Sequence, residues 1–93
     1  MAQHLKLLIY DYVEDVVERR APHRAEHLDL IGTWVADGRA VGGGATGDPP
    51  TGALIVFRET GDPEEFVEAD PYVREGLVTG WRVEPWTVVT GDL

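Results

Sequence analysis

The sequence contains no cysteine, which excludes disulfide bonds, thiolate metal sites and a cysteine nucleophile. Packing must therefore stabilise the 93-residue chain, and a domain of this size often gains stability by self-association. No apolar run approaches the roughly 20 residues of a membrane-spanning helix, and no signal pattern precedes the first strand-like run. We therefore expect a single domain over residues 1–93, located in the cytoplasm and without a membrane partner.

Basic residues are also scarce, because 8 lysines and arginines face 17 acidic residues and give a formal net charge of −9. Nucleic acids and anionic membrane surfaces both require a basic face, so this balance argues against either as a partner. Arg19, Arg20 and Arg24 are nevertheless close together in the sequence. Their planar guanidinium groups suit a carboxylate or an enolate, so a small anionic ligand is one interpretation. Salt bridges to the many acidic residues are the other.

The hydrophobic pattern predicts the element order β-α-β-β-α-β, with strands at about residues 5–12, 40–46, 53–57 and 80–89. The first helix is expected to begin near residue 20 or 22, after a loop or short helical turn at 13–19. It should bury the stripe Leu28, Ile31 and Val35 and end at Asp37-Gly38. The second helix begins at the N-cap Asp62 and should falter at Asp70, because a proline follows.

This order is the split βαβ arrangement of the α+β ferredoxin-like fold. Both helices then cover one face of the sheet and leave the opposite face bare in a monomer. Strands one and three are apolar on both faces, and exposed apolar patches usually mark an interface. We therefore expect a homodimer of the dimeric α/β barrel type, in which the sheet of a second copy covers the bare face.

Four motifs in this order resemble those of the YciI-like (YCII-related) proteins: Arg20-x-x-His23-Arg24-x-x-His27-Leu28, Gly52-Ala53-Leu54-Ile55-Val56-Phe57, Asp70-Pro71-Tyr72-Val73 and Trp81-Arg82-Val83-Glu84-Pro85-Trp86. The resemblance implies a ferredoxin-like fold, a dimeric α/β barrel and a histidine–aspartate active site. By position, the histidine is His27 and the aspartate is Asp70. The resemblance also implies acid/base chemistry on small aromatic catabolites, including dehydrohalogenation.

The chemistry of these residue types is consistent with that site. A carboxylate bonded to one imidazole nitrogen fixes the tautomer and makes the other nitrogen a useful general base near neutral pH. We therefore predict that His27 transfers the proton and that Asp70 orients the His27 imidazole, in an elimination or isomerisation without a cofactor. The side chains expected to hold a small anionic or phenolic ligand are Arg20, Arg24, Tyr72 and His23. From the residues alone, a purely structural hydrogen bond between the two helices is the favoured interpretation, and the resemblance shifts the balance toward a functional site.

Other interpretations of the motifs are weaker. His23 to His27 spells H-x-x-E-H, a zinc-protease pattern, but no third protein ligand is evident, so we predict no metal. Gly42-Gly43-Gly44 lacks the Gly-Lys-Ser/Thr of a nucleotide loop and is expected to be a bulged or closely approached strand. Two alternative functions remain for the whole chain: a non-catalytic metabolite-binding or accessory module, and a cofactor-free oxygenase of the dimeric α/β barrel type.

Overall fold

The structure, a computed structural model, describes residues 2–93. Four strands form the sheet: β1 (Gln3–Tyr12), β2 (Ala40–Thr46), β3 (Gly52–Phe57) and β4 (Val78–Val88). The helices are α1 (Val16–Arg19), α2 (Arg24–Ala36), α3 (Pro63–Ala69) and α4 (Pro71–Arg74), and a 3-10 turn at Ala21–His23 leads into α2. The predicted strands agree with these bounds to within two residues.

The strands are antiparallel and lie in the order β2-β3-β1-β4. Leu8 of β1 is paired with Ile55 of β3 on one side and with Val83 of β4 on the other, so β1 lies in the interior of the sheet. With its helices on one face, this is the α+β ferredoxin-like fold from which dimeric α/β barrels are built. The fold prediction is therefore confirmed.

The hydrophobic core lies between the sheet and helices α2 and α3. Trp34 of α2, Phe57 of β3 and Phe66 of α3 pack edge to face, with ring centroids 5.4–5.6 Å apart. Leu8 and Tyr10 of β1 contribute alternate side chains to the same cluster, as the two-residue period of a strand requires. This cluster fixes α2 and β1 relative to each other, and the candidate site is built on these two elements.

The predicted buried stripe of α2 is wrong by one position. His27 and Trp34 are buried and Ile31 packs against the core, whereas Leu28 is 48% exposed and Val35 is 40% exposed. A stripe through positions 27, 31 and 34 has the same helical spacing as the predicted one, so periodicity alone could not choose between them. The large indole of Trp34 and the polar partner of His27 decide the orientation. Helix α2 also starts later than predicted, at Arg24.

The end of α2 and both ends of α3 were predicted correctly. Gly38 follows α2 with φ of 83°, the left-handed conformation that glycine adopts at little cost. Asp62 caps α3 by accepting a hydrogen bond from the Glu64 amide at 3.0 Å. Helix α3 ends before Asp70, whose backbone is extended, with φ of −76° and ψ of 119°. The proline that follows Asp70 disfavours a helical conformation there.

The face of the sheet opposite the helices is apolar along its centre. Leu7 and Ile9 of β1 and Leu54 and Val56 of β3 alternate with the core residues and are only half-buried. We call these four residues the open face. The homodimer expected to cover this face stays a prediction. Within residues 2–93, no helix combines the length and the hydropathy that crossing a membrane would require.

Candidate active site

Asp70 occupies the break between α3 and α4 and is completely buried. Because its backbone is extended, its side chain can cap α4, and its Oδ1 accepts a hydrogen bond from the Tyr72 amide at 3.0 Å. Asp70 therefore has the same local capping geometry as Asp62 at the start of α3. The difference is that Asp62 is exposed and Asp70 lies inside the molecule.

Three donors converge on the Asp70 carboxylate. His27 Nδ1 is 2.8 Å from Oδ1, and the Tyr10 hydroxyl donates to Oδ2 at 2.7 Å, in addition to the Tyr72 amide. An ionised carboxylate can only accept hydrogen bonds, so Nδ1 carries the proton that His27 shares with it. A buried carboxylate needs such partners, because burying a charge without them is very costly. The site thus joins β1, α2 and the break between α3 and α4.

The imidazole of His27 is held on its face as well as at its edge. It is only 5% exposed and stacks on the phenol ring of Tyr72, with centroids 3.7 Å apart and planes 4° from parallel. Because Nδ1 is bonded to Asp70, Nε2 is the nitrogen that can exchange a proton with a ligand. The arrangement therefore presents one defined ring nitrogen in one orientation.

A cavity of about 270 Å³ lies beside His27, between α2 and the sheet. His27, Tyr72, Arg20 and Arg24 all contribute to its wall, and no acidic side chain does. The remaining wall is largely apolar or glycine: Tyr12, Leu28, Ile31, Gly43, Gly44, Ala45, Pro50, Ala53 and Ile55. The structure thus combines an apolar slot with a histidine, a phenol and two guanidinium groups, in a chain of net charge −9.

Among residues 2–93, the two arginines of the cavity have no carboxylate partner. Within residues 2–93, no acidic side chain comes within 4.0 Å of either Arg20 or Arg24, whereas neighbouring Arg19 approaches Asp15 at 3.7 Å. Arginines in an acidic protein usually find such partners. The salt-bridge alternative to anion binding therefore has no support for these two residues.

The hydroxyl of Tyr72 is also unpaired. It is buried, and no residue among 2–93 makes a well-aligned hydrogen bond with it, although the Arg24 side chain lies close enough to interact with it. Burial raises the pKa of Tyr72, and the positive charges of Arg20 and Arg24 oppose this rise.

His23 is the one predicted site residue that lies apart from the others. It is not part of the cavity wall, and its Nε2 is 3.9 Å from Glu75 Oε1. The two histidines of the H-x-x-E-H motif thus face different carboxylates. Residues 2–93 contain no cluster of three or more His, Asp or Glu side chains that could hold a metal ion.

The family model of the YCII-related domain matches residues 5–87. The chain belongs to the YCII-related domain family. No curated protein sequence matches it. A similar solved structure is 5-chloro-2-hydroxyhydroquinone dehydrochlorinase (TftG) from Burkholderia phenoliruptrix AC1100, in complex with 2,5-dihydroxybenzoquinone. The two chains are 26% identical, with a TM-score of 0.70 over 88% of this chain and 92% of that chain.

One partner of Asp70 in this YCII-related domain was missed by sequence analysis. Tyr10 is not among the predicted site residues, because an aromatic side chain in an apolar strand is by default a core or interface residue. A buried tyrosine hydroxyl does require a polar partner, which is the available signal. The partner itself lies 60 positions away in the chain, and only the fold brings the two together.

Proposed function

We propose that this YCII-related domain is a cofactor-independent enzyme that transfers a proton during an elimination reaction of a small, negatively charged ring compound with hydroxyl groups. The observation that carries the proposal is the buried His27–Asp70 pair, which lies at a cavity with two carboxylate-free arginines. A cavity, a histidine bonded to a carboxylate and two guanidinium groups lie in one place, and this arrangement supports the proposal.

In the proposed reaction, His27 Nε2 removes a proton from an O–H or C–H bond of the substrate. The substrate reacts as the keto tautomer of the ring, in which the carbon that carries the leaving group is tetrahedral. The electron pair of the broken O–H or C–H bond then forms a new double bond, directly or through conjugation, and the leaving group departs with its own bonding pair. Asp70 stabilises the imidazolium that results, as the aspartate of a catalytic triad does. The imidazolium then returns its proton to solvent, which restores the enzyme and balances the reaction.

Arg20, Arg24 and Tyr72 are proposed to hold the oxygen atoms of the substrate. Guanidinium groups bind phenolate or carboxylate oxygens through charge-assisted hydrogen bonds, and the Tyr72 hydroxyl would gain the partner it lacks. These groups also stabilise the negative charge that develops on an oxygen when the proton is removed. His23 is not needed for this chemistry.

The similarity to TftG supports the substrate class. That protein is named for dehydrochlorination of a chlorinated hydroxyhydroquinone, and its structure contains a dihydroxybenzoquinone. The cavity of about 270 Å³ lies below the range of roughly 300–1,000 Å³ typical of pockets for drug-sized ligands, so a single substituted ring suits it. We infer a comparable class of ligand for this chain.

The decisive experiment measures halide release from 5-chloro-2-hydroxyhydroquinone under anaerobic conditions, because hydroquinones oxidise in air. Wild-type protein should release chloride faster than buffer does, and His27→Asn should be slower by about 10²–10⁴-fold, the usual contribution of a general base. Binding of 2,5-dihydroxybenzoquinone without any turnover would identify a binding module instead. Oxygen consumption that depends on the protein and exceeds the rate of oxidation in buffer would identify an oxygenase in an aerobic assay.

The proposed anion-binding role of Arg20 and Arg24 has a matched control in Arg19, the residue that precedes Arg20 in the chain. Arg20→Gln and Arg24→Gln should each weaken 2,5-dihydroxybenzoquinone binding at least about tenfold, since a hydrogen bond to a charged group contributes roughly 1.5–3 kcal/mol. Arg19→Gln removes an equal charge. Because Arg19 is exposed and approaches Asp15, this variant should leave binding unchanged. Equal affinities in all three variants would show that the cavity arginines do not contact the ligand.

A further inference from the structure

We propose that Tyr10 is a positioning residue of this site: its hydroxyl fixes the plane of the Asp70 carboxylate and, through that carboxylate, the tautomer and orientation of His27. The inference rests on the proposed function, because it assigns the histidine a task that depends on orientation. It adds a third residue to the His27–Asp70 pair and places that residue on the sheet rather than on a helix.

The distribution of donors on Asp70 carries the argument. Oδ1 has two donors, His27 Nδ1 at 2.8 Å and the Tyr72 amide at 3.0 Å. Among residues 2–93, the Tyr10 hydroxyl at 2.7 Å is the one hydrogen-bond donor to Oδ2. Without Tyr10, one oxygen of a fully buried carboxylate would have no hydrogen bond.

Rotation of the carboxylate is the motion that Tyr10 prevents. The terminal torsion of an aspartate is soft and roughly two-fold, so hydrogen bonds to Oδ1 alone leave the carboxylate plane poorly defined. Turning that plane changes the direction in which Oδ1 presents its lone pairs to Nδ1. A third bond on the opposite oxygen defines the plane, and the imidazole of His27 follows it.

Tyr10 is a rigid support for this task. It lies in β1, an interior strand, where it is paired with Ala53 of β3 and Trp81 of β4. The residue is 1% exposed. Burial and the nearby Asp70 charge raise the pKa of Tyr10, so the hydroxyl keeps its proton and remains a donor throughout the neutral range. Tyr10 does not line the cavity, so it acts through Asp70 and not on the ligand.

The test compares Tyr10→Phe with Val67→Ala, a core substitution that removes packing but keeps the backbone hydrogen bond from the Asp70 amide to the Val67 carbonyl and leaves the Asp70 carboxylate uncontacted. Nitrogen-15 NMR reports the His27 tautomer, and hydrogen exchange reports how firmly its Nδ1 proton is held. In Tyr10→Phe the His27 nitrogen shifts should move and the Nδ1 proton should exchange about tenfold faster, the equivalent of one hydrogen bond. Val67→Ala should leave both signals as in the wild type.

Kinetics gives an independent readout. Tyr10→Phe should lower kcat for chloride release by about tenfold with little change in KM, because the ligand-binding groups are untouched. In an Asp70→Ala background, which leaves Tyr10 no side-chain group to fix, the same substitution should have almost no further effect on kcat, since the two residues act as one unit.

Each outcome decides the proposal. His27 signals that are identical in wild type, Tyr10→Phe and Val67→Ala would overturn it. The Tyr10 hydroxyl proton should also be visible in the wild type as a slowly exchanging resonance, and its absence would overturn the proposal even if Tyr10→Phe failed to fold. Altered His27 signals in a protein that turns nothing over would support the positioning role and refute only the proposed function.

Discussion

At the residue scale, two aspartates with the same local structure have different environments. Asp62 and Asp70 each precede a proline and cap a short helix, yet the first is exposed and the second is completely buried. Local sequence explains the capping in both cases. Only the partners that the fold supplies, Tyr10 and His27, explain why Asp70 can be buried as a carboxylate.

Replacing Asp70 by asparagine should separate charge from geometry. The amide oxygen can take the place of Oδ1, and the amide NH2 can donate to the Tyr10 hydroxyl, which is able to accept. The His27 tautomer should therefore be preserved, while the imidazolium loses a charged partner contributing roughly 1.5–3 kcal/mol. We expect turnover to fall about 10- to 100-fold, with unchanged nitrogen-15 evidence for a proton on Nδ1.

The same substitution at Asp62 is the matched control, because asparagine caps a helix as well as aspartate does. Asp62→Asn lies away from the cavity and should keep full turnover. If Asp70→Asn and Asp62→Asn were equally active, the carboxylate at position 70 would be a structural cap and not part of a catalytic pair.

The three tyrosines predict an alkaline limit to stability. Burial is the largest cause that raises the pKa of Tyr10, Tyr12 and Tyr72 in the folded protein. An unfolded chain releases these protons near about pH 10, so above that pH the folded state binds more protons and stability falls. The free energy of unfolding should decrease by about 1.4 kcal/mol per pH unit for each tyrosine that stays protonated.

Denaturant titrations at increasing pH measure this slope, and tyrosinate absorbance measures the ionisation itself. Stability should be independent of these groups below about pH 10 and should decline above it. Tyr10→Phe should make the decrease in the free energy of unfolding less steep by the contribution of one tyrosine, about 1.4 kcal/mol per pH unit. Tyrosinate that formed at the same pH in folded and unfolded protein would contradict the prediction.

At the element scale, sequence analysis succeeded where the cause is local and failed where the cause is distant. The interruption at Asp70 was predictable because proline constrains the residue before it. The buried side of α2 was not, since stripes through Leu28 and through His27 have the same period. The packing of Trp34 in the core and the bond between His27 and Asp70 decided between the two stripes. Both contacts depend on residues far away in the chain. The Tyr10–Asp70 bond escaped prediction for the same reason.

Strand β2 forms part of the cavity wall, which its three glycines did not predict. Gly43 lines the cavity, and a Cβ there would lie 2.9 Å from Ile55 Cγ1 and 3.3 Å from the Leu54 oxygen. Ile55 would have to shift, so Gly43→Ala should reduce the space available to a ring. We expect 2,5-dihydroxybenzoquinone affinity to fall by roughly 10- to 200-fold, the effect of one methylene group in a fitted pocket.

Gly42→Ala is the control for this strand. A Cβ at Gly42 meets nothing within 4 Å, and Gly42 is not part of the cavity wall. Its affinity for the same probe should match that of the wild type, and thermal unfolding should show that both variants are folded. If the two alanine variants bind equally, Gly43 does not limit the ligand.

At the scale of the whole molecule, the family and the ferredoxin-like fold could be predicted from the sequence, because the motifs span nearly the whole chain in order. The cavity could not, since its wall combines residues of α2, β2 and β3 with the segments around them. The composition does not reveal its positive groups either, because two arginines contribute little to a net charge of −9. Only their placement beside His27 makes them candidates for an anion subsite.

The last prediction concerns the open face and the association of two chains. Leu7, Ile9, Leu54 and Val56 are half-buried in one copy, and pairing two sheets would remove them from water. Sedimentation equilibrium at micromolar concentration should give twice the 10.3 kDa chain mass. Each copy carries a net charge of −9, so repulsion between copies should weaken the dimer at low ionic strength and salt should strengthen it.

Leu7→Asp tests this face directly, because it places a charge at the centre of an interior strand's exposed side. The variant should sediment as a monomer while circular dichroism shows an intact fold. Thr33→Asp adds the same charge on an exposed position of α2 and should remain dimeric. A wild-type protein that stays monomeric at all salt concentrations would refute the sheet-to-sheet dimer, and the apolar open face would then need another partner.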